Sequence, residues 1–252
     1  MIEVSQLNKF YGNKQVIKDV SFTLSAGGIT SIIGPNGAGK STLLSLISRL
    51  LPADSGSVRV DGMNVATTPG PQLAKRLSVL RQENHFVSRL TVKDLVSFGR
   101  YPYSQGRLTV EDHEKVNAAM AFLDLQVLQH RFLDQLSGGQ RQRAFVAMVL
   151  CQETDYVLLD EPLNNLDMQH SVAMMKQIRR AADELQRTVV LVIHDINFAA
   201  AYSDRILAMK NGQLIFDGSP QTIMTPQVLE QVFNLPVQIE QINGQPVAVY
   251  YR

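Results

Sequence analysis

A glycine-rich segment that ends in a lysine and two hydroxyl residues has the composition and spacing of a phosphate-binding loop. Its glycines allow the backbone to form a concave ring of N–H donors, and a helix that starts there adds the positive end of its dipole. Lys40 supplies a positive charge for the phosphates, and the Ser41 hydroxyl is suited to ligate Mg²⁺. The predicted nucleoside-triphosphate site consists of Gly34, Pro35, Asn36, Gly37, Ala38, Gly39, Lys40, Ser41 and Thr42.

A strand and a helix must hold this loop in place. The β-branched run at residues 29–33 predicts a buried strand, and apolar residues then recur at helical spacing from Leu43 to Leu50. The loop therefore connects a strand to a helix, which is the context that the motif requires. By itself this arrangement is compatible with kinases, GTPases and many ATPases.

A second cluster adds carboxylates. Residues 156–159 are apolar and predict a strand, and Asp160 and Glu161 follow it directly. Both acids would then lie at the carboxyl end of a parallel sheet, where open α/β folds bind their ligands. We expect Asp160 to hold Mg²⁺ through its water shell and Glu161 to accept a proton from an attacking water.

A third motif precedes an apolar helical stretch. This motif, called the signature segment below, consists of Ser137, Gly138, Gly139 and Gln140. Its serine and glycines at the start of a helix predict a second site where backbone N–H groups bind an anion. One ATP does not require two such sites in one subunit. With this motif the sequence resembles the ATP-binding-cassette (ABC) ATPases, and the resemblance covers about residues 1 to 220. It implies that these four residues contact the γ-phosphate held by a second, head-to-tail copy, and therefore a homodimer.

The resemblance assigns roles to further positions, in the order that the family shows. Tyr11 matches the aromatic residue that stacks on adenine. Gln82 matches the glutamine that reaches Mg²⁺ or the attacking water and senses the transport subunit. His194 matches the histidine that contacts the γ-phosphate and positions the general base.

The segment after the acidic pair differs from the commoner family form. Residues 164–167 read Asn-Asn-Leu-Asp where Ser-Ala-Leu-Asp is usual. Leu166 and Asp167 are retained, and the resemblance implies that Asp167 makes contacts across the dimer.

The predicted fold is α/β: a P-loop NTPase ABC cassette with a RecA-like parallel-sheet core, an N-terminal antiparallel β subdomain and an inserted α-helical subdomain. Capping boxes at Thr91 and Thr109 predict helices in the insertion, residues 63–72 are expected to form a surface loop, and Asn211-Gly212 predicts a hairpin turn. We expect a single ABC ATPase domain spanning 1–252, composed of 1–84 and 151–220 (β subdomain and ATP-binding core), 85–150 (helical signature subdomain) and 221–252 (a tail without a clear pattern).

Composition narrows the function. The 252 residues are 45% hydrophobic and carry a formal net charge of +1 without long runs of one sign, so no nucleic-acid partner is expected. The lone Cys151 excludes an internal disulfide and is expected in the core. The start at Met1 has no signal-peptide pattern, and no apolar stretch approaches the ~20 residues that span a bilayer. These features predict a protein that stays in the cytoplasm, and the resemblance to the ABC ATPases implies that it lies as a peripheral protein on the cytoplasmic face of the bacterial cell membrane.

Three kinds of family member are open: an importer ATPase, an exporter cassette, and a non-transport member acting on DNA or ribosomes. Repair-type members insert a long coiled coil between the first and third motifs, and this interval is about 100 residues without sustained heptads. Ribosome-acting members carry two cassettes per chain, and exporters usually fuse the cassette to membrane helices. The importer is favoured.

The cargo is also suggested by resemblance. Residues 98–103, Phe-Gly-Arg-Tyr-Pro-Tyr, look like a segment of the iron-siderophore, haem and cobalamin branch, and residues 161–168 look like its ferric-siderophore members. This implies ferric-siderophore import, with haem or cobalamin as the alternative. Two copies would dock beneath a permease dimer through a segment near residues 83 to 105, and a substrate-binding protein would take part indirectly.

Overall fold

The structure is a computed structural model that describes residues 1–82 and 89–251. Its strands are β1 (Ile2–Tyr11), β2 (Lys14–Leu24), β3 (Ile29–Ile33), β4 (Ser55–Val60), β5 (Met63–Asn64), β6 (Leu77–Leu80), β7 (Tyr156–Asp160), β8 (Thr188–Val192), β9 (Arg205–Lys210), β10 (Gln213–Gly218), β11 (Gln238–Ile242) and β12 (Gln245–Val249). Its α-helices are α1 (Lys40–Ile47), α2 (Gly70–Leu73), α3 (Val92–Ser97), α4 (Tyr101–Ser104), α5 (Val110–Phe122), α6 (Gly138–Cys151), α7 (Met168–Glu184), α8 (Ile196–Tyr202), α9 (Pro220–Ile223) and α10 (Pro226–Phe233).

The chain forms two compact units, and the first comprises the described residues of 1–68 and 188–252. It contains an antiparallel sheet in the order β2-β1-β4-β5. It also contains β3 between β8 and β9, both parallel to it, with β10 antiparallel to β9. Every residue of β3 and β8 is buried, as expected for parallel strands covered on both faces. The predicted strand–loop–helix around residues 29–50 and the hairpin at Asn211 are confirmed.

The second unit comprises the described residues of 69–187. Its strands β6 and β7 are parallel, and α3, α5 and α6 pack against one another. Both predicted capping boxes are present: the Thr91 hydroxyl accepts from the Asp94 N–H, and the Thr109 hydroxyl accepts from the Asp112 N–H. Ser137 caps α6 in the same way, so the sequence signals for these helix starts were sufficient.

The surface loop expected at residues 63–72 is shorter in the structure, because only residues 65–69 lie outside a strand or helix. Met63 and Asn64 pair with β4, and the Asn64 carbonyl accepts from the N–H groups of Thr67 and Thr68. The short helix α2 then begins after Pro69, with a proline in its first turn, where the missing N–H costs nothing. The threonine and proline cluster that suggested a loop instead forms the turn between these two elements.

The segment after residue 219, for which the sequence offered no pattern, is ordered into α9, α10 and the hairpin of β11 and β12. The Asn197 side chain joins this hairpin to α8. Its Nδ2 donates to the Ala248 carbonyl at 3.2 Å, and its Oδ1 accepts from the Ala248 N–H at 2.7 Å. One amide side chain thus acts as a short strand partner for the end of the chain.

Candidate functional site

The glycine-rich loop between β3 and α1 has the backbone conformations that its sequence requires. Gly34, Gly37 and Gly39 have φ values of 144°, 77° and 100°, all in the region that favours glycine. A Cβ at Gly34 would lie 2.1 Å from the Met209 carbonyl oxygen, so space as well as conformation requires glycine there. Gly39 is the N-cap of α1, and the first-turn N–H groups are directed out of the end of the helix toward the loop.

The lysine side chain of this loop is folded back over it. The Lys40 Nζ donates to the carbonyl oxygens of Gly34 at 2.8 Å and Pro35 at 3.1 Å, and the residue is 5% exposed. A buried ammonium among carbonyls and helix N–H donors is a chemical match for phosphate oxygens. Ser41 is the second residue of the same helix.

Two further predicted residues lie in the same unit as the loop. Tyr11 ends β1, is 49% exposed, and has the Lys9 Nζ 6.0 Å from its ring centroid. His194 follows β8 and directly precedes Asp195, which caps α8 by accepting from the N–H groups of Asn197 and Phe198. An exposed aromatic ring at a strand end is available for stacking on a base.

The acidic pair lies in the second unit, at the end of β7. Asp160 and Glu161 are 7% and 9% exposed, and Glu161 has a φ of 52°. A left-handed backbone is unusual for a residue other than glycine, and such conformations are concentrated at functional sites.

Two amide side chains hold the Glu161 carboxylate. The Gln82 Nε2 donates to Glu161 Oε2 at 2.7 Å, and the Asn164 Nδ2 donates to the same oxygen. Gln82 was predicted for this site, whereas no role was assigned to Asn164, which appeared in the sequence only as a departure from the usual serine. The signal was present: an amide three residues after a carboxylate, in a turn, can bond back to it.

The signature segment forms the start of α6. Ser137 caps the helix, and the Gln140 Oε1 accepts from the Ser137 N–H at 3.1 Å. Asp167 caps α7 in the same unit, and bonds from the N–H and imidazole of His170 hold the pKa of Asp167 below its ordinary value. His170 was not predicted from the sequence.

A Mg²⁺ ion fits the residues present. No group of three or more His, Cys, Asp and Glu side chains that could hold a metal occurs within residues 1–82 and 89–251. Mg²⁺ does not need one, because it is usually bound by one or two protein oxygens together with phosphates and water. Ser41 and Asp160 are oxygen donors of that kind.

In the same described ranges, no helix has the length and apolar character needed to cross a bilayer.

Comparison with known proteins agrees with these features. The family model described as "ABC transporter" matches residues 17–164, and the chain belongs to that family. It is an ATP-binding cassette with ATPase activity. The petrobactin import ATP-binding protein YclP of Bacillus subtilis (strain 168) is 53% identical over 251 residues, which cover all of both chains. FatE of Bacillus anthracis, named for the same import, is 54% identical over 99% of this chain and 100% of its own.

A solved structure shows the same fold with nucleotide products. The dimeric ATP-binding cassette MJ0796, in a post-hydrolysis state bound to ADP and Pi, matches with a TM-score of 0.78 at 27% identity. The match covers 87% of this chain and 99% of that one. The ABC cassette predicted from the sequence is therefore confirmed.

Proposed function

We propose that this chain is the ATP-hydrolysing subunit of a bacterial ferric-siderophore importer. The observation that carries the cargo is full-length identity above one half to two proteins named for petrobactin import. More distant relatives with similar coverage are named for iron(3+)-hydroxamate and ferric enterobactin transport. Petrobactin is accordingly the first siderophore to test.

The proposed mechanism assigns each step to a residue of this chain. Lys40 and the N–H groups at the start of α1 bind the β- and γ-phosphates, and Tyr11 stacks on the adenine. Ser41 and Asp160 would hold Mg²⁺, Asp160 through the water shell of the ion, and the ion would neutralise charge on the phosphates. Glu161 accepts the proton of the attacking water.

The neighbours of the base complete this assignment. Gln82 and Asn164 fix the orientation of the Glu161 carboxylate, and their two contacts support its role because a general base must be held within reach of one proton. His194 contacts the γ-phosphate.

The proposed assembly is a dimer of cassettes on a permease. Ser137, Gly138, Gly139, Gln140 and Asp167 contact the partner copy and its nucleotide. The permease supplies the membrane-spanning helices and places this chain on the cytoplasmic face, and a substrate-binding protein delivers the cargo. Exposed Phe98 and Tyr101 support docking through the segment near residues 83 to 105. Residues 83–88 of that segment lie outside the described residues.

The test is uptake of radiolabelled iron by a strain that lacks this gene. This strain should not take up iron presented as ferric petrobactin, but its uptake of ferrous iron should persist. A plasmid copy of the gene should restore uptake of ferric petrobactin, and a copy with Glu161→Gln should not. Normal uptake from every ferric siderophore, with loss of haem or cobalamin uptake, would assign the cargo to the alternative branch.

A further inference from the structure

A histidine in the first turn of α7 contacts two segments to which we assign roles at the dimer. The His170 N–H donates to Asp167 Oδ1 at 2.8 Å, and its Nδ1 is 2.7 Å from the same oxygen. The other side of the imidazole faces the signature turn. A Cβ built on Gly139 would lie 2.4 Å from His170 Cδ2 and 2.8 Å from its Cγ.

This packing gives a local reason for glycine at position 139. The backbone of Gly139 is not in the left-handed region, so its conformation does not demand glycine. The space for a side chain is instead filled by the imidazole ring. The preceding glycine differs, since a Cβ on Gly138 would meet only the Asn165 carbonyl oxygen at 3.4 Å, an ordinary contact.

We propose that His170 is a positioning residue for ATP hydrolysis, which sets the signature turn and Asp167 at a fixed separation. The ring packs on Gly139 at the start of α6, while its nitrogen holds the Asp167 carboxylate at the start of α7. These two helices pack against each other, and the imidazole adds to that contact at their first turns. The inference rests on the proposed function, in which both segments act at the dimer.

The consequence is a specific coupling between two positions. Adding a methyl group at position 139 must displace either the turn or the imidazole, since no real Cβ approaches a ring carbon at 2.4 Å. Removing the ring gives that methyl group room. If glycine were required at position 139 only by the partner's nucleotide, removing the ring would not relieve the effect of the added methyl group.

The test measures ATP hydrolysis by the full-length chain carrying Gly139→Ala, His170→Ala or both. Gly139→Ala should raise the apparent KM for ATP about tenfold while kcat stays within about threefold, because the displaced turn weakens nucleotide binding more than chemistry. The double variant should return to the KM of His170→Ala alone, which we expect about threefold above that of the unmodified chain.

Two controls accompany the cycle. Gly138→Ala should have the same effect with and without His170→Ala, since its Cβ does not meet the ring. His113→Ala, which removes an exposed histidine in the first turn of α5, should leave KM unchanged. A double variant that stays as impaired as Gly139→Ala would overturn the proposal. Recovery of the melting temperature without recovery of KM would also overturn it, because the contact would then serve packing only.

A second readout separates this inference from the proposed function. In a Glu161→Gln background, ATP should convert the chain to a dimer on gel filtration, Gly139→Ala should reduce the dimer fraction, and His170→Ala should restore it. If Glu161→Gln alone stays monomeric with ATP, also when bound to its permease, the proposed dimer fails. If it dimerises and Gly139→Ala prevents this whatever stands at position 170, only the role of His170 fails.

Discussion

At the scale of the residue, Glu161 combines a left-handed backbone with a side chain held by two amides. Each of these features has a cost, because non-glycine residues at positive φ are strained and two amides are immobilised around one oxygen. The surrounding turn must compensate. Such an arrangement is expected where a carboxylate has to present one oxygen in one direction.

Lys40→Ala and Glu161→Gln should therefore fail in different ways. The first removes the buried ammonium that binds phosphate, so nucleotide binding should be lost. The second removes a general base, which typically lowers the rate by about 10² to 10⁴ while binding persists. Equilibrium binding of a fluorescent ATP analogue and single-turnover hydrolysis would distinguish the two. Retained binding by Lys40→Ala would contradict the role of the loop.

Asn164→Ala should lower kcat by about tenfold, less than the loss of the base itself, because Gln82 would still hold the carboxylate. KM for ATP should change little, since Asn164 is assigned no contact with nucleotide. Steady-state kinetics at several ATP concentrations give both values. An unchanged kcat would show that the Gln82 contact alone is sufficient.

At the scale of the element, the segment that suggested the transporter branch is held by a buried arginine. Arg100 is 3% exposed, and its guanidinium donates to Asp112 at 2.9 Å, to the Cys151 carbonyl at 2.9 Å and to Glu153 at 3.0 Å. The Arg100 Cζ also lies 4.1 Å from the centroid of the Tyr103 ring. Arg100 thereby ties the segment with the exposed Phe98 and Tyr101 to the start of α5 and the end of α6.

Arg100→Met should lower the free energy of unfolding by about 3 to 5 kcal/mol, since it leaves the buried Asp112 carboxylate without its charged partner. Urea denaturation followed by circular dichroism measures this change. Arg107→Met, at an exposed arginine between α4 and α5, should stay within about 0.5 kcal/mol of the unmodified chain. Equal losses from both variants would contradict the role of the buried pair.

The same cluster predicts a response to acid. The Thr109 N–H and the Arg100 guanidinium hold the pKa of Asp112 below its ordinary value. A carboxyl with a lowered pKa in the folded state contributes stability above its unfolded pKa of about 3.9, and this is lost as the pH falls further. As the pH falls from about 5 to about 2.5, the free energy of unfolding should therefore decrease less for the Asp112→Asn variant than for the unmodified chain, as measured by urea denaturation.

Local signals predicted the elements that depend on neighbours in sequence. The strand, loop and helix around Lys40 and the capped starts of α3, α5 and α6 follow from patterns within a few residues. The contacts of His170 with Gly139 and of Gln82 with Glu161 could not be specified in this way. Both depend on how distant segments pack, which spacing in the sequence does not report.

At the scale of the whole molecule, the signature segment and the phosphate loop are proposed to act from opposite copies. Mixing a Lys40→Ala chain with a Ser137→Arg chain would give heterodimers with one intact composite site and one doubly damaged site. ATP hydrolysis should then reappear at up to about half the normal rate if each site fires independently. With heterodimers demonstrated by two affinity tags, a mixture as inactive as either parent would argue for sites within one chain or for obligatory joint firing.

Cys151, the single cysteine of the chain, lies buried at the end of α6, and burial raises the pKa of its thiol to about 12. At pH 8 it is therefore both inaccessible and protonated, and it should not react with maleimides while the protein is folded. The native chain can then serve as its own unlabelled background. A cysteine placed on any exposed position would take a spin label or fluorophore selectively, so distances between two copies could be followed through the ATP cycle without first removing a native thiol.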